Sequence, residues 1–293
     1  MSDVKVPIPA RCEISSRFVS VDNVRTHYLE AGEGPTLVLL HSGEYGGCAE
    51  LSWEYMLPRL ARHFRVIAPD WLGFGKTAKI HDFDSKRLRM LSHLVRFVET
   101  LGLDRAHFAG NSMGGTFLLQ FAGQDSCPLP IDRLVAISSG GFVPDNEHRR
   151  KLINYDCTEE SMRELLAAIF EDPVWHQDSE YVRRRYELSI LPGAWESVAA
   201  TRFRRPNAPP RKIYGNPDDT DYEKIKAPTL VIAGGSDKVR LPNYTDEFVH
   251  RIPDVKLEIL DGVGHCPNIE CAERVSDLVI EFLTHERGRP LPA

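Results

Sequence analysis

Short apolar runs alternate with amphipathic stretches along most of this chain, and the alternation predicts its secondary structure. The apolar runs predict strands at residues 36–41, 65–69, 106–111, 133–139 and 229–233, and alternation of apolar and polar residues predicts a last strand at 255–260. The amphipathic stretches predict helices near residues 51–62, 86–101, 113–124, 242–251 and 270–284. Alternation on both sides of a short polar turn predicts a hairpin over residues 18–30. Strands separated by helices are typical of an α/β fold with a mostly parallel, doubly wound sheet.

One long segment interrupts this pattern. Residues 142–226 contain no strong strand, but they hold helix-like stretches at 159–170 and 179–189 and a loop rich in proline and arginine at 204–211. We therefore predict a helical lid over 142–226, inserted between strands of a core formed by 1–141 and 227–293. Such a lid would supply much of a substrate pocket, and its motion could control access.

The most informative motif is Gly-Asn-Ser-Met-Gly-Gly at residues 110–115. It follows a predicted strand and opens a predicted helix, which is the context of a nucleophile elbow. Glycines at 110 and 114 provide the small residues that so tight a turn requires. The motif predicts Ser112 as a nucleophile. An ordinary turn between strand and helix is the alternative, because glycine and serine are common in loops.

A serine nucleophile needs a base, and the base needs an orienting acid. Asp237 follows the predicted strand 229–233, at the sheet edge where α/β proteins bind ligands. His265 lies in a glycine-flanked loop after the last predicted strand. The order serine, acid, histidine is the one that accompanies a nucleophile elbow. We therefore assign Asp237 as the orienting acid and His265 as the general base.

Other acidic residues and histidines are weaker candidates. Asp70 and Asp261 are expected to cap turns, and His41 is expected to be structural. The oxyanion that serine attack creates needs preorganised N–H donors. We expect these donors to be the backbone N–H groups of Met113 and of Gly43, which lies in a glycine-rich loop after the first parallel strand. A flexible glycine turn is the alternative for that loop.

The composition and the net charge argue against a nucleic acid, a membrane or a metal ion as a partner of this protein. A net charge of −6 over 293 residues gives no electrostatic case for a nucleic acid or an anionic membrane. No apolar run is long enough to span a membrane, and the N-terminus lacks the apolar segment of a signal peptide. The six cysteines lack paired spacing, and no histidine pair has metal-ligand spacing with a nearby carboxylate. We predict a cytoplasmic protein with reduced thiols, no metal and a small-molecule substrate.

From residue 18 to 284 these features resemble the α/β-hydrolase superfamily, and the elbow resembles that of the meta-cleavage-product hydrolases. Those enzymes cleave a carbon–carbon bond in vinylogous 1,5-diketones that ring-opening dioxygenases produce. The resemblance implies that Asn111 and Arg185 bind the dienoate and the carboxylate of such a substrate, an organic acid. It also implies that no cofactor is needed, since the substrate carries the electron sink, and that a homo-oligomer is possible.

Two positions differ from that family. Ser42, a candidate substrate-binding residue, stands where the family commonly has glycine, and Cys266 stands where it commonly has tryptophan. A packing role is expected for Cys266. Two other functions stay open: a carboxylesterase or lactonase with the same three residues, and a small-molecule receptor on the same fold.

Overall fold

The computed structural model describes residues 13–203, 206–207 and 214–285. The strands are β1 (Ser15–Val21), β2 (Val24–Ala31), β3 (Thr36–Leu40), β4 (Arg65–Pro69), β5 (Ala106–Asn111), β6 (Ile131–Ile137), β7 (Thr229–Gly234) and β8 (Val255–Leu260). The α-helices are α1 (Ala49–Trp53), α2 (Leu57–Leu60), α3 (Lys86–Thr100), α4 (Met113–Ala122), α5 (Glu147–Ile153), α6 (Glu159–Ile169), α7 (Val174–Gln177), α8 (Ser179–Ser189), α9 (Ala194–Ala199), α10 (Pro267–Glu270) and α11 (Ala272–Thr284).

These strands form one eight-stranded sheet in the order β1-β2-β4-β3-β5-β6-β7-β8. Pairing is antiparallel for β1 with β2 and for β2 with β4, and it is parallel from β4 through to β8. The predicted hairpin and the mostly parallel sheet are thus confirmed. The chain runs from β3 to β4 on one side and then returns to β5 on the other. This reversal opens a crevice beyond the carboxyl ends of β3 and β5, where α/β sheets bind ligands.

Both faces of the sheet are buried along the central strands β3 to β7, which explains why these strands are largely continuous apolar runs. Strand β3 shows the arrangement, because its side chains alternate between two cores. Val38 and Leu40 pack in the core that α3 and α4 cover, whereas Leu37 and Leu39 pack in the core that α2 and α11 cover. Truncating one of these side chains to alanine should cost about 2–5 kcal/mol, so the central strands are a rigid platform for the loops at their ends.

Between β6 and β7 the described residues hold helices α5 to α9 and no strand. The helices predicted at 159–170 and 179–189 are present as α6 and α8. Their apolar faces form a third core together with Tyr45 and Cys266, which belong to loops above the sheet. Most of the predicted loop 204–211 lies outside the described residues.

Two helix predictions need correction. The helix predicted near 51–62 is two short helices, α1 and α2, and a proline lies in the first turn of α2. The helix predicted at 242–251 is wrong, because the segment forms two 3₁₀ turns, Tyr244–Glu247 and Val249–Arg251. Asn243 takes a left-handed conformation with φ of 54°, and Phe248 leaves the helical region with φ of −136°. Phe248 stacks on Tyr222 at 4.8 Å between ring centroids, a tertiary contact that local sequence does not show.

Candidate active site

Ser112 occupies a strained turn between β5 and α4. Its φ of 52° and ψ of −112° are rare for a residue with a side chain, and such strain costs on the order of 1–3 kcal/mol. The flanking glycines make the turn possible. A Cβ on Gly110 would lie 2.4 Å from the backbone nitrogen of Gly115, and one on Gly114 would lie 2.3 Å from the carbonyl oxygen of Leu40. The turn therefore has the geometry that the motif predicted.

The side chains of Ser112, His265 and Asp237 form a chain of hydrogen bonds. His265 Nε2 lies 2.7 Å from Ser112 Oγ, and His265 Nδ1 lies 2.6 Å from Asp237 Oδ2. A carboxylate can only accept when ionised, so Nδ1 carries the proton and Nε2 is left to accept from the serine hydroxyl. The structure thus brings together the three residues that the sequence singled out.

Asp237 is buried, but its surroundings favour the ionised carboxylate. Burial acts to raise the pKa of Asp237, but the charge and the hydrogen bond of His265 outweigh it and hold that pKa below its usual value. The nearby charge of Arg240 and the backbone N–H of Val239, which donates to Asp237 Oδ1 at 3.0 Å, act in the same direction. An ionised Asp237 fixes the ring orientation of His265 and stabilises its protonated form.

The loop that carries His265 is tied to the helices between β6 and β7. The backbone N–H of His265 donates to the carbonyl of Ile169, the last residue of α6, at 2.8 Å. Glu270 Oε1 accepts from the N–H of Gly264 at 2.9 Å, and Glu270 Oε2 accepts from the N–H groups of Glu171 and Asp172 at 2.8 and 3.1 Å. Sequence analysis missed Glu270, since its three partners come together only in the folded chain.

Gly43 and Met113 lie beside Ser112 and His265 in the wall of one cavity. Met113 is the first residue of α4, so its backbone N–H belongs to the group that has no acceptor within the helix. A Cβ on Gly43 would lie 2.6 Å from Met113 Sδ, which shows how closely the loop after β3 approaches the start of α4. The positions that the sequence suggested for an oxyanion hole are therefore adjacent.

Asn111 and Ser42 lie next to the site, but the cavity wall within the described residues does not include them. Asn111 is fully buried, and its Nδ2 donates to the carbonyls of Ile137 and His265 at 3.3 and 3.2 Å. Ser42 is also buried, and its carbonyl accepts from His41 Nδ1 at 2.6 Å. Both residues are placed to support the loops around the site.

Arg185 points inward from α8 but meets a carboxylate of the protein itself. It is 0% exposed, and its Nη2 lies 2.8 Å from Glu44 Oε1. Glu44 lines the cavity, whereas Arg185 is not part of the wall that the described residues form. Burial acts to raise the pKa of Glu44, but the charge of Arg185 outweighs it and lowers that pKa. The sequence predicted the inward direction of Arg185 and missed the partner that separates it from the cavity.

The residues that the sequence did not favour as catalytic groups make structural contacts. Asp70 accepts from the backbone N–H of Ala49 at the start of α1, and His41 Nε2 accepts from the backbone N–H of Trp71. Cys266 is buried in the third core, and burial raises the pKa of its thiol well above the usual value. A thiol held protonated in this way is a packing group.

The cavity has a volume of about 530 Å³, within the range typical of small-molecule sites. Its wall is rich in cationic side chains that sequence analysis did not single out, namely Lys86, Arg87, Arg149, Arg202 and Arg240. The described residues contain no cluster of three or more side chains suited to hold a metal ion. None of the described helices is both long and apolar enough to cross a membrane.

The family model, two relatives and a solved structure that this chain resembles all represent hydrolases. Residues 35–272 match the model of the alpha/beta hydrolase fold. The 2-hydroxy-6-oxo-6-(2'-aminophenyl)hexa-2,4-dienoic acid hydrolase of Metapseudomonas resinovorans is 34% identical over 92% of this chain and 90% of its own length. A 2-hydroxymuconate semialdehyde hydrolase of Pseudomonas sp. is 32% identical over 91% and 93%. The structure of a meta-cleavage product hydrolase from Pseudomonas fluorescens is 29% identical, covers 92% of this chain and 97% of its own, and has a TM-score of 0.79.

Proposed function

This chain belongs to the α/β-hydrolase family, and we propose that it hydrolyses a carbon–carbon bond in a 2-hydroxy-6-oxo-dienoate-type acid, a ring-fission product of aromatic catabolism. Three curated relatives that are at least 30% identical to this chain over about nine-tenths of its length are named as hydrolases of such compounds. The observation that carries the proposal is the hydrogen bond of 2.7 Å between Ser112 Oγ and His265 Nε2 at the wall of the cavity.

In the proposed reaction His265 first moves a proton. It helps transfer the enol proton of the substrate to the carbon next to the ketone, which converts the dienol into a keto form. Ser112 Oγ then attacks the ketone carbon while His265 Nε2 takes the hydroxyl proton. The carbon–carbon bond breaks, its electron pair moves into the conjugated acid, and the resulting dienolate takes the proton that His265 received from Ser112 and leaves as a dienol. Water, deprotonated by His265, then releases the acyl group from Ser112 as a carboxylic acid.

The charge that develops on the ketone oxygen needs fixed donors. We assign the backbone N–H groups of Gly43 and Met113 to this role, because both residues lie in the cavity wall beside Ser112. Backbone donors at a helix N-terminus need no reorganisation during the reaction. No cofactor enters the scheme, because the conjugated acid accepts the electron pair.

We further propose that residues 142–226 act as a lid on a core formed by 1–141 and 227–293. In support, α6 reaches the loop of His265 through the carbonyl of Ile169, and Glu270 accepts from two backbone N–H groups that follow α6. A lid tied to the general base in this way would couple its position to catalysis.

The substrate is a small molecule, and we propose a cytoplasmic enzyme without a nucleic-acid partner. The five cysteines within the described residues are free thiols, which fits a reducing compartment. The net charge of −6 disfavours binding to a polyanion.

The test is a spectrophotometric assay with purified protein. We expect rapid loss of the visible absorbance of a ring-fission dienolate and slow hydrolysis of p-nitrophenyl acetate and butyrate. Ser112→Ala should abolish turnover and leave the melting temperature unchanged, whereas the exposed Ser85→Ala should retain activity. Ester turnover without loss of dienolate absorbance would replace the proposal with an esterase or lactonase. Binding without any turnover would indicate a receptor.

A further inference from the structure

A second hydrogen-bonded chain of serine, histidine and aspartate lies outside the cavity, on strands at the antiparallel edge of the sheet. Ser16 Oγ lies 2.9 Å from His27 Nε2, and His27 Nδ1 lies 2.7 Å from Asp70 Oδ2. The corresponding distances in the chain that begins at Ser112 are 2.7 and 2.6 Å. Both histidines use Nδ1 toward the aspartate and Nε2 toward the serine, so the two chains have the same order and use the same ring nitrogens.

The register of the first hairpin places Ser16 beside His27. Phe18 in β1 pairs directly with His27 in β2, and Ser16 lies two residues before Phe18 on the same face of the strand. A diagonal neighbour in an antiparallel pair is within reach of a side chain as long as histidine. Ser16 is exposed on the outermost strand of the sheet, so a reagent in solution can approach its hydroxyl.

The backbone and the ring of His27 are both held in place. Its backbone N–H donates to Thr77 Oγ1 at 2.9 Å, and its carbonyl accepts from the backbone N–H of Asp70 at 3.0 Å. The side chains of His27 and Asp70 are 1% and 2% exposed, and those of the catalytic histidine and aspartate are 4% and 2% exposed. A base that is fixed and buried in this way needs little reorganisation to accept a proton.

Asp70 is placed to orient the ring of His27. Its Oδ1 accepts from the backbone N–H of Ala49 at 2.8 Å, and its Oδ2 accepts from the backbone N–H of Lys76 at 2.7 Å as well as from His27. Donors on both oxygens favour the ionised form of a carboxyl group. Since an ionised carboxylate can only accept, His27 Nδ1 carries a proton and Nε2 is left to accept from the hydroxyl of Ser16.

We propose that Ser16 is a covalent modification site that takes an acyl group from an activated ester, with His27 as its general base and Asp70 as the orienting acid. Ser16 Oγ attacks the ester carbonyl carbon, and its proton passes to His27 Nε2. The bond between that carbon and the leaving oxygen then breaks, so that a phenolate departs with the bonding electron pair. None of the three residues lines the cavity, so the site is separate from the one that carries the proposed function.

The acyl group should stay on Ser16 instead of turning over. Ser16 lies within an extended strand, whereas Ser112 directly precedes α4 and has the N–H groups of a helix N-terminus beside it. The loss of one such donor slows acyl transfer by about 10²- to 10³-fold. A good leaving group compensates for this when the ester is activated, but the alkyl ester formed on Ser16 has none. The site therefore favours one acylation per molecule.

The test uses Ser112→Ala, which lacks the catalytic hydroxyl, and p-nitrophenyl acetate as the probe. Peptide mass spectrometry should find an acetyl group on Ser16 that hydroxylamine removes, as it does from esters and not from the amides of lysine. Ser20, an exposed serine on the same face of β1, is the matched internal control and should be acetylated at least about tenfold more slowly. Equal acetylation of Ser16 and Ser20 would overturn the proposal.

His27→Gln in the same background tests the general base. Acetylation of Ser16 should slow at least about tenfold, while that of Ser20 should not change. The melting temperature shows whether the variant is folded. An unchanged rate at Ser16 in folded His27→Gln would contradict the role of His27.

Ser16→Cys provides a second test that does not depend on the folding of a variant at a buried position, because residue 16 is exposed. A histidine at hydrogen-bond distance increases the thiolate fraction of a thiol. Iodoacetamide should therefore alkylate position 16 in Ser16→Cys at least about tenfold faster than position 20 in Ser20→Cys at about pH 7. Equal rates at the two positions would also overturn the proposal.

Discussion

Glu270 Oε1 accepts the backbone N–H of Gly264, the residue before His265, at 2.9 Å. The other oxygen of Glu270 accepts from two N–H groups that directly follow α6. Burial acts to raise the pKa of Glu270 above its usual value, and these hydrogen bonds oppose that rise only in part. One carboxyl group therefore joins the loop of His265 to the segment that we propose as a lid.

Glu270→Ala should destabilise the protein and lower kcat. The change leaves three backbone N–H groups without their acceptor. The bonds from Gly264 and Glu171 are partly buried and the bond from Asp172 is exposed, and an unpaired donor costs up to about 1–3 kcal/mol when it is buried. We expect a loss of roughly 2–5 kcal/mol in the free energy of unfolding, measured with urea, and a fall of at least about tenfold in kcat because His265 loses its support.

Glu164→Ala is the control for that variant, since Glu164 is exposed on α6 itself. It should change neither the unfolding free energy nor kcat beyond about 0.5 kcal/mol or twofold. Glu270→Gln should be intermediate, because the amide oxygen can still accept. Wild-type kcat in Glu270→Ala would show that the histidine loop is held by other contacts.

Much of the fold could be predicted because its signals are local. Strands buried on both faces must be continuous apolar runs, as β3 is, and the serine turn demands glycine at 110 and 114 whatever surrounds it. The helix predicted at 242–251 failed for the opposite reason. Its conformation depends on Phe248 stacking against Tyr222, a residue in another part of the chain.

The cavity wall could not be predicted for a related reason. The sequence shows that α8 carries three adjacent arginines, and it favoured Arg185 as the one that faces inward. It does not show that Glu44 meets Arg185, because no local pattern links a residue after β3 to one in α8. Arg149 was missed likewise, since the face that α5 turns to the cavity is set by packing.

Asp237→Asn should remove most activity while leaving the fold intact. An amide at this position can donate to His265 Nδ1, which would place the ring proton on Nε2 and prevent that nitrogen from accepting from Ser112. We expect kcat to fall by about 10³- to 10⁴-fold with a melting temperature within a few degrees of wild type. The exposed Asp246→Asn on the neighbouring turn should be fully active, and a loss of less than tenfold in Asp237→Asn would argue for a different orienting group.

Asp70 should make the free energy of unfolding depend on pH below about pH 4. Burial acts to raise its pKa, but the hydrogen bond from His27, the charges of His41 and His27 and the N–H of Ala49 outweigh burial and lower that pKa below its usual value. A carboxyl with a lowered folded-state pKa contributes stability that is complete above its unfolded-state pKa of about 4 and is lost as pH falls through the folded-state value.

Urea unfolding of wild type and Asp70→Asn at several pH values checks this. The difference in unfolding free energy should be about 1–3 kcal/mol at pH 7 and should shrink below about pH 4. The exposed Asp84→Asn should show no such difference at any pH. If the difference in unfolding free energy stays constant below about pH 4, the ionisation of Asp70 does not contribute to stability.

Asn111→Ala separates a supporting role from a substrate-binding role. Nδ2 of Asn111 donates to the carbonyls of Ile137 and His265, and Asn111 lies outside the cavity wall that the described residues form. Removing these bonds should loosen the histidine and lower kcat by roughly 10-fold, with KM changed less than about twofold, because the cavity wall within the described residues does not include Asn111. Steady-state kinetics with the ring-fission acid distinguishes the roles. A large rise in KM at wild-type kcat would instead mean that Asn111 turns toward the substrate when it binds, which is the role that the sequence resemblance implied.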